Sequence, residues 1–172
     1  MTAGPAYDFR PLDPGDMPLI ARWLEEPHVA RWWDGGAAAG VREIEQAMAE
    51  ASTAPHLVLM DGEPVGYIQS YDIHAEPDHP YGDQPPGTLG IDQFIGVAAL
   101  TGKGHGPRLI AAFVARLFAA GCPRVVLDPA PDNAVAIRAY EKAGFGRLDL
   151  RTTPQFGPAL LMARDAPDRT TT

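Results

Sequence analysis

GIDQFIGVAALTGKGHGPRLIAAFVARLF (Gly90–Phe118) decides the fold of this chain. It opens on an apolar run, Gly90–Ala98, that reads as a buried strand. Three glycines, Gly102, Gly104 and Gly106, then alternate with Lys103 and His105. Leu109, Ile110, Phe113, Val114, Leu117 and Phe118 follow at helical spacing, so one helix buries one apolar stripe. RVVLD (Arg124–Asp128) completes a strand–helix–strand unit. The glycines let the backbone curl close to a ligand, and Pro107 suits a first helical turn. N–H groups at such a turn attract anions. A kinase-type P-loop is absent, because Lys103 lies between the glycines. A dinucleotide fingerprint fits poorly: its third glycine would fall on Pro107, and 44 residues after Asp128 are too few for the rest of that fold.

Outward from this unit, YDFRPL (Tyr7–Leu12) alternates as a first strand, and Asp16 is the expected cap of a helix carrying Leu19, Ile20, Trp23 and Leu24. HVARWWDGG reads as a loop, followed by a weaker helix from about Val41 to Glu50. His56–Met60, the Asp61-Gly62 turn and Pro64–Tyr71 form an antiparallel hairpin. Residues 72–87 hold four prolines and four acids and read as a long loop, either functional or disordered. A helix runs from about Asn133 to a stop at Gly144, and strands near Arg147–Thr152 and Ala159–Arg164 finish the chain. The class is α/β.

The 172 residues suit a single domain, 1–172, with an ordered core of about 7–165 and a flexible C-terminal tail. One cysteine, Cys122, excludes an intrachain disulfide, and no segment has signal-peptide or membrane character, so a cytoplasmic location is expected. Charge is uneven: residues 1–92 carry 16 acids against 4 bases, residues 93–172 carry 6 acids against 10 bases. The acidic half repels nucleic acid and attracts cations.

GIDQFIG, GKGHGPRLI and LDPAPDNAVAIRAYEKAGF together resemble the GNAT acyltransferase superfamily. HVARWW (28–33), GEPVGYIQSY (62–71), GIDQ (90–93), LDPAPDN (127–133), AIRAYEKAGF (136–145) and TTP…GPALLM (152–162) narrow the likeness to aminoglycoside 6'-N-acetyltransferases, from about Tyr7 to Met162. That resemblance implies a mixed central sheet of about six to seven strands flanked by about four helices. It implies acetyl-coenzyme A as cosubstrate, its pyrophosphate on the N–H groups of Thr101, Gly102, Lys103, Gly104, His105 and Gly106. Its pantetheine arm would run beside Gln93, Phe94 and Ile95, where a β-bulge opens the sheet, with Asn133 bonding the arm. Tyr140 becomes the general acid for the departing thiolate, and Asp92 an acceptor ligand and base. Asp128, and more loosely Asp78, become further acceptor contacts. Trp32, Trp33 and Tyr81 become apolar walls for sugar rings, with at least one of the adjacent tryptophans plugging the core. Two positions depart from the pattern: Thr101 stands where many members carry Arg or Gln, and Gln155 where close relatives can carry an acid.

The implied partner is a cationic small-molecule amine; nucleic acid and membrane are not expected, and the assembly is a monomer or homodimer. Antibiotic resistance is the implied role. Cys122 lies away from every catalytic motif, so direct attack in a ternary complex is expected, and no metal is. Three alternatives stay open: another small amine or a lysine-type acceptor, a non-catalytic acetyl-coenzyme A binder, and the dinucleotide-binding oxidoreductase.

Overall fold

Alternation places Phe9 inward on the first strand, β1 (Tyr7–Pro11), which pairs antiparallel with β2 (Thr53–Met60). β2 returns through Asp61 (φ 50°) and Gly62 (φ 86°) into β3 (Glu63–Asp72), a two-residue turn with positive φ at both positions that suits the strand twist. In the computed structural model, residues 4–154 and 157–168 are described.

The remaining elements are α1 (Met17–Glu25), α2 (Pro27–Ala30), α3 (Gly36–Ala49), β4 (Leu89–Ile95), α4 (His105–Ala119), β5 (Arg124–Leu127), α5 (Ala134–Lys142), β6 (Gly146–Thr153) and β7 (Gly157–Asp165). The strands form a mixed seven-stranded sheet in the order β1-β2-β3-β4-β5-β7-β6, with β4 and β5 parallel and β7 antiparallel to both β5 and β6. Five α-helices are present among the described residues, one more than expected.

By Cα proximity the chain gathers into two compact units, each built from two stretches of sequence: residues up to Tyr71 with Asp92–Gly106, and Asp72–Ile91 with Pro107 onward. In the first, Ile20, Trp23, Leu24, Val29, Ile44, Leu57, Tyr67 and Phe94 make one buried cluster. Two glycines there are dictated by packing. A Cβ on Gly96 would lie 2.1 Å from the Trp23 ring, and one on Gly66 would lie 2.4 Å from the Phe94 carbonyl oxygen. In the second unit, Ile73, Leu109, Ile110, Phe113, Val125, Val126, Leu161 and Met162 are almost fully buried.

Several expectations shift. Asp16 does not cap α1. It accepts from the Asp13 N–H (2.8 Å) and pairs with Arg10 (2.9 Å), while Asp13 caps a short 3₁₀ turn. Part of HVARWW is helical, because Pro27 starts α2 with a fixed φ. α3 begins five residues earlier than expected, at Gly36, since its alanines favour helix without contributing an apolar stripe. β4 ends at Ile95, and Asp128 lies one residue beyond β5. The long loop between β3 and β4 is tied down, with Ile73, Tyr81, Gln84 and Thr88 all buried.

Candidate functional site

The acidic centre of the first unit is Asp92, half-buried on β4. Gln69, on β3, donates from its side-chain amide to Asp92 Oδ2 (2.9 Å) and accepts the Tyr67 hydroxyl on its own oxygen (2.5 Å). Burial, then the Asp92 and Glu43 carboxylates, hold the Tyr67 phenol well above its ordinary value. It therefore remains a donor, fixing the Gln69 amide with its NH₂ toward Asp92. Gln69 was not named as a site residue; its sequence signal is its place in the GEPVGYIQSY motif.

Next along the strand, Gln93 is half-buried, Phe94 is 8% exposed, and the Ile95 carbonyl accepts from His28 Nε2 (2.8 Å). Gly96 and Val97 both direct their N–H groups to the Val65 carbonyl, at 2.8 and 3.4 Å. Two consecutive donors share one acceptor just past the end of β4, after the Gln93–Ile95 stretch where a bulge was expected.

The glycine turn follows. Thr101 uses both its N–H (3.1 Å) and its hydroxyl (2.7 Å) on the Ala98 carbonyl. Thr101 therefore closes the turn with its N–H, which leaves the N–H groups of Gly102–Gly106 as the candidates from the expected anion-binding set. Gly102 (φ 71°) and Gly104 (φ 80°) are left-handed and exposed, with no atom within 4 Å of where a Cβ would stand. The first N–H groups of α4 have no intrahelical partner, so the turn presents donors to an open surface. His105, the first residue of α4, is also joined by its Nδ1 to the Tyr7 hydroxyl (2.7 Å).

The tryptophans divide. Trp33 is half-buried, edge-on to Phe94 (5.2 Å) and Tyr67 (6.0 Å), and belongs to the core. Trp32 is 39% exposed beneath the Arg31 guanidinium, which lies 4.9 Å from the ring centre. Of the pair, Trp32 alone presents a wall.

The second unit holds the other candidates. Asn133 caps α5, its Oδ1 accepting from the Ala136 N–H (3.1 Å), which turns its NH₂ outward from the cap. Tyr140, about two turns further along α5, is half-buried and edge-on to Phe145 (6.3 Å). Asp128 accepts from the Tyr81 hydroxyl at 2.6 Å. Burial pushes the Asp128 carboxyl up, and the Tyr81 bond pulls it partly back. Among the described residues no Lys or Arg pairs with Asp128. Tyr81 is only 2% exposed, so it supplies a hydroxyl to Asp128 and not a ring face as expected. Asp78 is exposed in the same loop, and Gln155 lies outside the described residues. Arg151, which grips this loop, gave no sequence signal, because its strand reads as a solvated face. No cluster of three or more His, Cys, Asp or Glu side chains fit to hold a metal occurs among the described residues. Nor is any described helix long and apolar enough to cross a membrane.

Residues 13–152 match the family model for the acetyltransferase (GNAT) domain. The chain belongs to the GNAT acetyltransferase family. It is 39% identical over 165 residues to aminoglycoside N(6')-acetyltransferase type 1 of Klebsiella pneumoniae, covering 90% of this chain and 82% of that one. It is 30% identical over 167 residues to the lysine N-acyltransferase MbtK of Mycolicibacterium paratuberculosis, covering 95% and 75%. Among solved structures, aminoglycoside acetyltransferase AAC(6')-Ib in complex with coenzyme A and kanamycin superposes with a TM-score of 0.83 at 36% identity, over 93% of this chain and 95% of that one. The same enzyme with ribostamycin and coenzyme A gives 0.86, over 97% and 98%.

Proposed function

We propose that this protein is an acetyl-coenzyme A-dependent N-acetyltransferase acting on the 6'-amino group of an aminoglycoside. The observation that carries the acceptor class is Asp128: a half-buried carboxylate held by a neutral hydroxyl and paired with no Lys or Arg among the described residues. An unpaired buried carboxylate is costly, and an ammonium group of a polycationic ligand relieves that cost. The likeness to aminoglycoside N(6')-acetyltransferases over 90% of the chain supports the same acceptor.

The glycine turn fits the pyrophosphate of the cosubstrate, since Gly102 and Gly104 leave the backbone uncovered at a helix start. When bound, acetyl-coenzyme A supplies an acetyl thioester. The N–H groups of Gly102–Gly106 hold the diphosphate, Gln93 and Phe94 line the arm, and the Asn133 NH₂ donates to one of its amide oxygens. Asp92, oriented by Gln69, takes a proton from the acceptor ammonium, directly or through water. The freed amine nitrogen forms the new bond to the thioester carbon as the carbon–sulfur bond breaks. Tyr140 gives its phenolic proton to the departing sulfur, and the second proton lost from the acylated nitrogen passes through solvent to restore the phenol. Trp32 offers a flat face to a sugar ring, and Asp128, with the exposed Asp78, meets further ammonium groups.

The test is coenzyme A release with acetyl-coenzyme A and a panel of aminoglycosides with and without a 6'-amine. Release confined to 6'-amino compounds is the expected result. Release only with lysine-type amines would move the protein toward the lysine N-acyltransferases, and acetyl-coenzyme A binding without release to any amine would make it a binder.

A further inference from the structure

Arg151, on β6, makes more bonds than a surface arginine needs. Its Nη1 and Nη2 bind the two carboxylate oxygens of Asp83 (both 2.8 Å), Nη1 also reaches the Pro80 carbonyl (2.8 Å), and Nε meets Asp149 (3.1 Å). Its guanidinium carbon lies 5.5 Å from the centre of the Tyr81 ring. One planar fork therefore grips both ends of the segment Pro80–Asp83 and covers the aromatic side chain between them. The segment is tightened further by the Tyr81 N–H on His79 Nδ1 (3.1 Å) and by the Gly82 and Gln84 N–H groups on the His79 and Tyr81 carbonyls (2.9 and 3.0 Å).

What this segment delivers is the Tyr81 hydroxyl, set 2.6 Å from Asp128. We propose that Arg151 and Tyr81 are positioning residues for the acceptor: Arg151 fixes the Pro80–Asp83 segment, and Tyr81 in turn orients Asp128 toward an acceptor ammonium group. Arg151 is separated from Asp83 by 68 residues of sequence, and an exposed ion pair contributes little stability by itself. Its bonds to Asp83 and Pro80 and its cover over Tyr81 all bear on the same four residues, and Tyr81 among them bonds Asp128, the carboxylate with no described Lys or Arg partner. The inference rests on the reading of Asp128 as an acceptor ligand.

Steady-state kinetics with acetyl-coenzyme A and kanamycin test it. Tyr81→Phe should raise the kanamycin KM about tenfold, as expected for loss of a bond to a charged group, and leave the acetyl-coenzyme A KM unchanged. Arg151→Ala should act in the same direction, and Arg151→Lys should not rescue it, because an ammonium cannot form the fork. Arg147→Ala, which removes an exposed pair with Glu141, is the control expected to match wild type. In an Asp128→Asn background neither Tyr81→Phe nor Arg151→Ala should change the kanamycin KM further, whereas a general loss of packing would still do so. Hydrogen exchange should speed up at Gly82 and Gln84 in Arg151→Ala but not in Tyr81→Phe. Wild-type turnover of kanamycin together with an unaltered Tyr81→Phe variant overturns this inference alone. So does an undiminished effect in the Asp128→Asn background. Absence of wild-type turnover with every aminoglycoside overturns the functional reading, and this inference with it.

Discussion

The side-chain amide of Gln69 lies 2.9 Å from Asp92 Oδ2, and its orientation is set by the Tyr67 hydroxyl on its other end. Gln69→Leu removes the donor to Asp92 and strands the buried Tyr67 hydroxyl. An unsatisfied buried group costs roughly 1–3 kcal/mol, so urea unfolding should show a loss of that size. Turnover at saturating acetyl-coenzyme A should fall as well. A destabilised variant with normal turnover would remove Gln69 from the acceptor chemistry.

Gly96 and Gly102 should respond differently to alanine. At Gly96 the new methyl group would collide with the Trp23 ring, and overpacking of this kind costs about 1–3 kcal/mol or more, read as a lower Tm. At Gly102 there is space, so the cost is only the left-handed backbone, about 1–2 kcal/mol. The Gly102 methyl would stand over the proposed diphosphate site and should raise the acetyl-coenzyme A KM. An unchanged KM would move that site elsewhere.

Asn133 separates its two duties by chemistry. Asn133→Asp keeps a cap but loses the NH₂ donors; Asn133→Ala loses both, with about 1 kcal/mol less stability. Thermal melts should rank Asp above Ala, while both variants should weaken acetyl-coenzyme A binding in titration calorimetry. Normal affinity in Asn133→Asp would leave the residue a cap alone.

Tyr140→Phe should lower kcat with little change in acceptor KM, because only the proton to the sulfur is lost. Full turnover in this variant would assign the acid elsewhere.

Asp128 sets a pH dependence with a definite sign. Burial raises its folded pKa, so the folded protein holds this proton more tightly than the unfolded chain does. Stability from this group is therefore fully present below the unfolded pKa and declines as pH rises through the folded one. Acceptor binding has the opposite preference, since only the carboxylate attracts an ammonium. The acid limb of kcat/KM for the acceptor should thus lie above the ordinary Asp range, and Tyr81→Phe should move it higher still, since the Tyr81 bond lowers this pKa. A limb that stays in place in Tyr81→Phe would break the link between the two residues.

Local pattern carried much of this. The 3.6-residue stripe of α4, the alternation of β1 and the Asp61-Gly62 turn are properties of neighbouring residues, so the strand–turn–helix and the hairpin were legible at once. The glycine turn and AYEKAGF were likewise contiguous, and they disclosed the family. What stayed hidden depends on partners far away in the chain. Trp33 and Trp32 are adjacent and chemically alike, yet only packing against Tyr67 and Phe94 makes one core and leaves the other on the surface. Thr101 looked like part of an anion site until the Ala98 carbonyl was seen to occupy its N–H. Tyr81 sits in a loop whose composition reads as either functional or disordered, and Arg151 in a strand of largely exposed residues. The two meet because β6 brings a rigid five-donor fork to the Pro80–Asp83 segment. By itself the sequence determined the elements and the family, since periodicity and motifs are encoded within a few residues of one another. Only the tertiary structure decided which carboxylates are held by neutral donors and by whom, because a hydrogen bond is fixed by distance in space and not by distance along the chain.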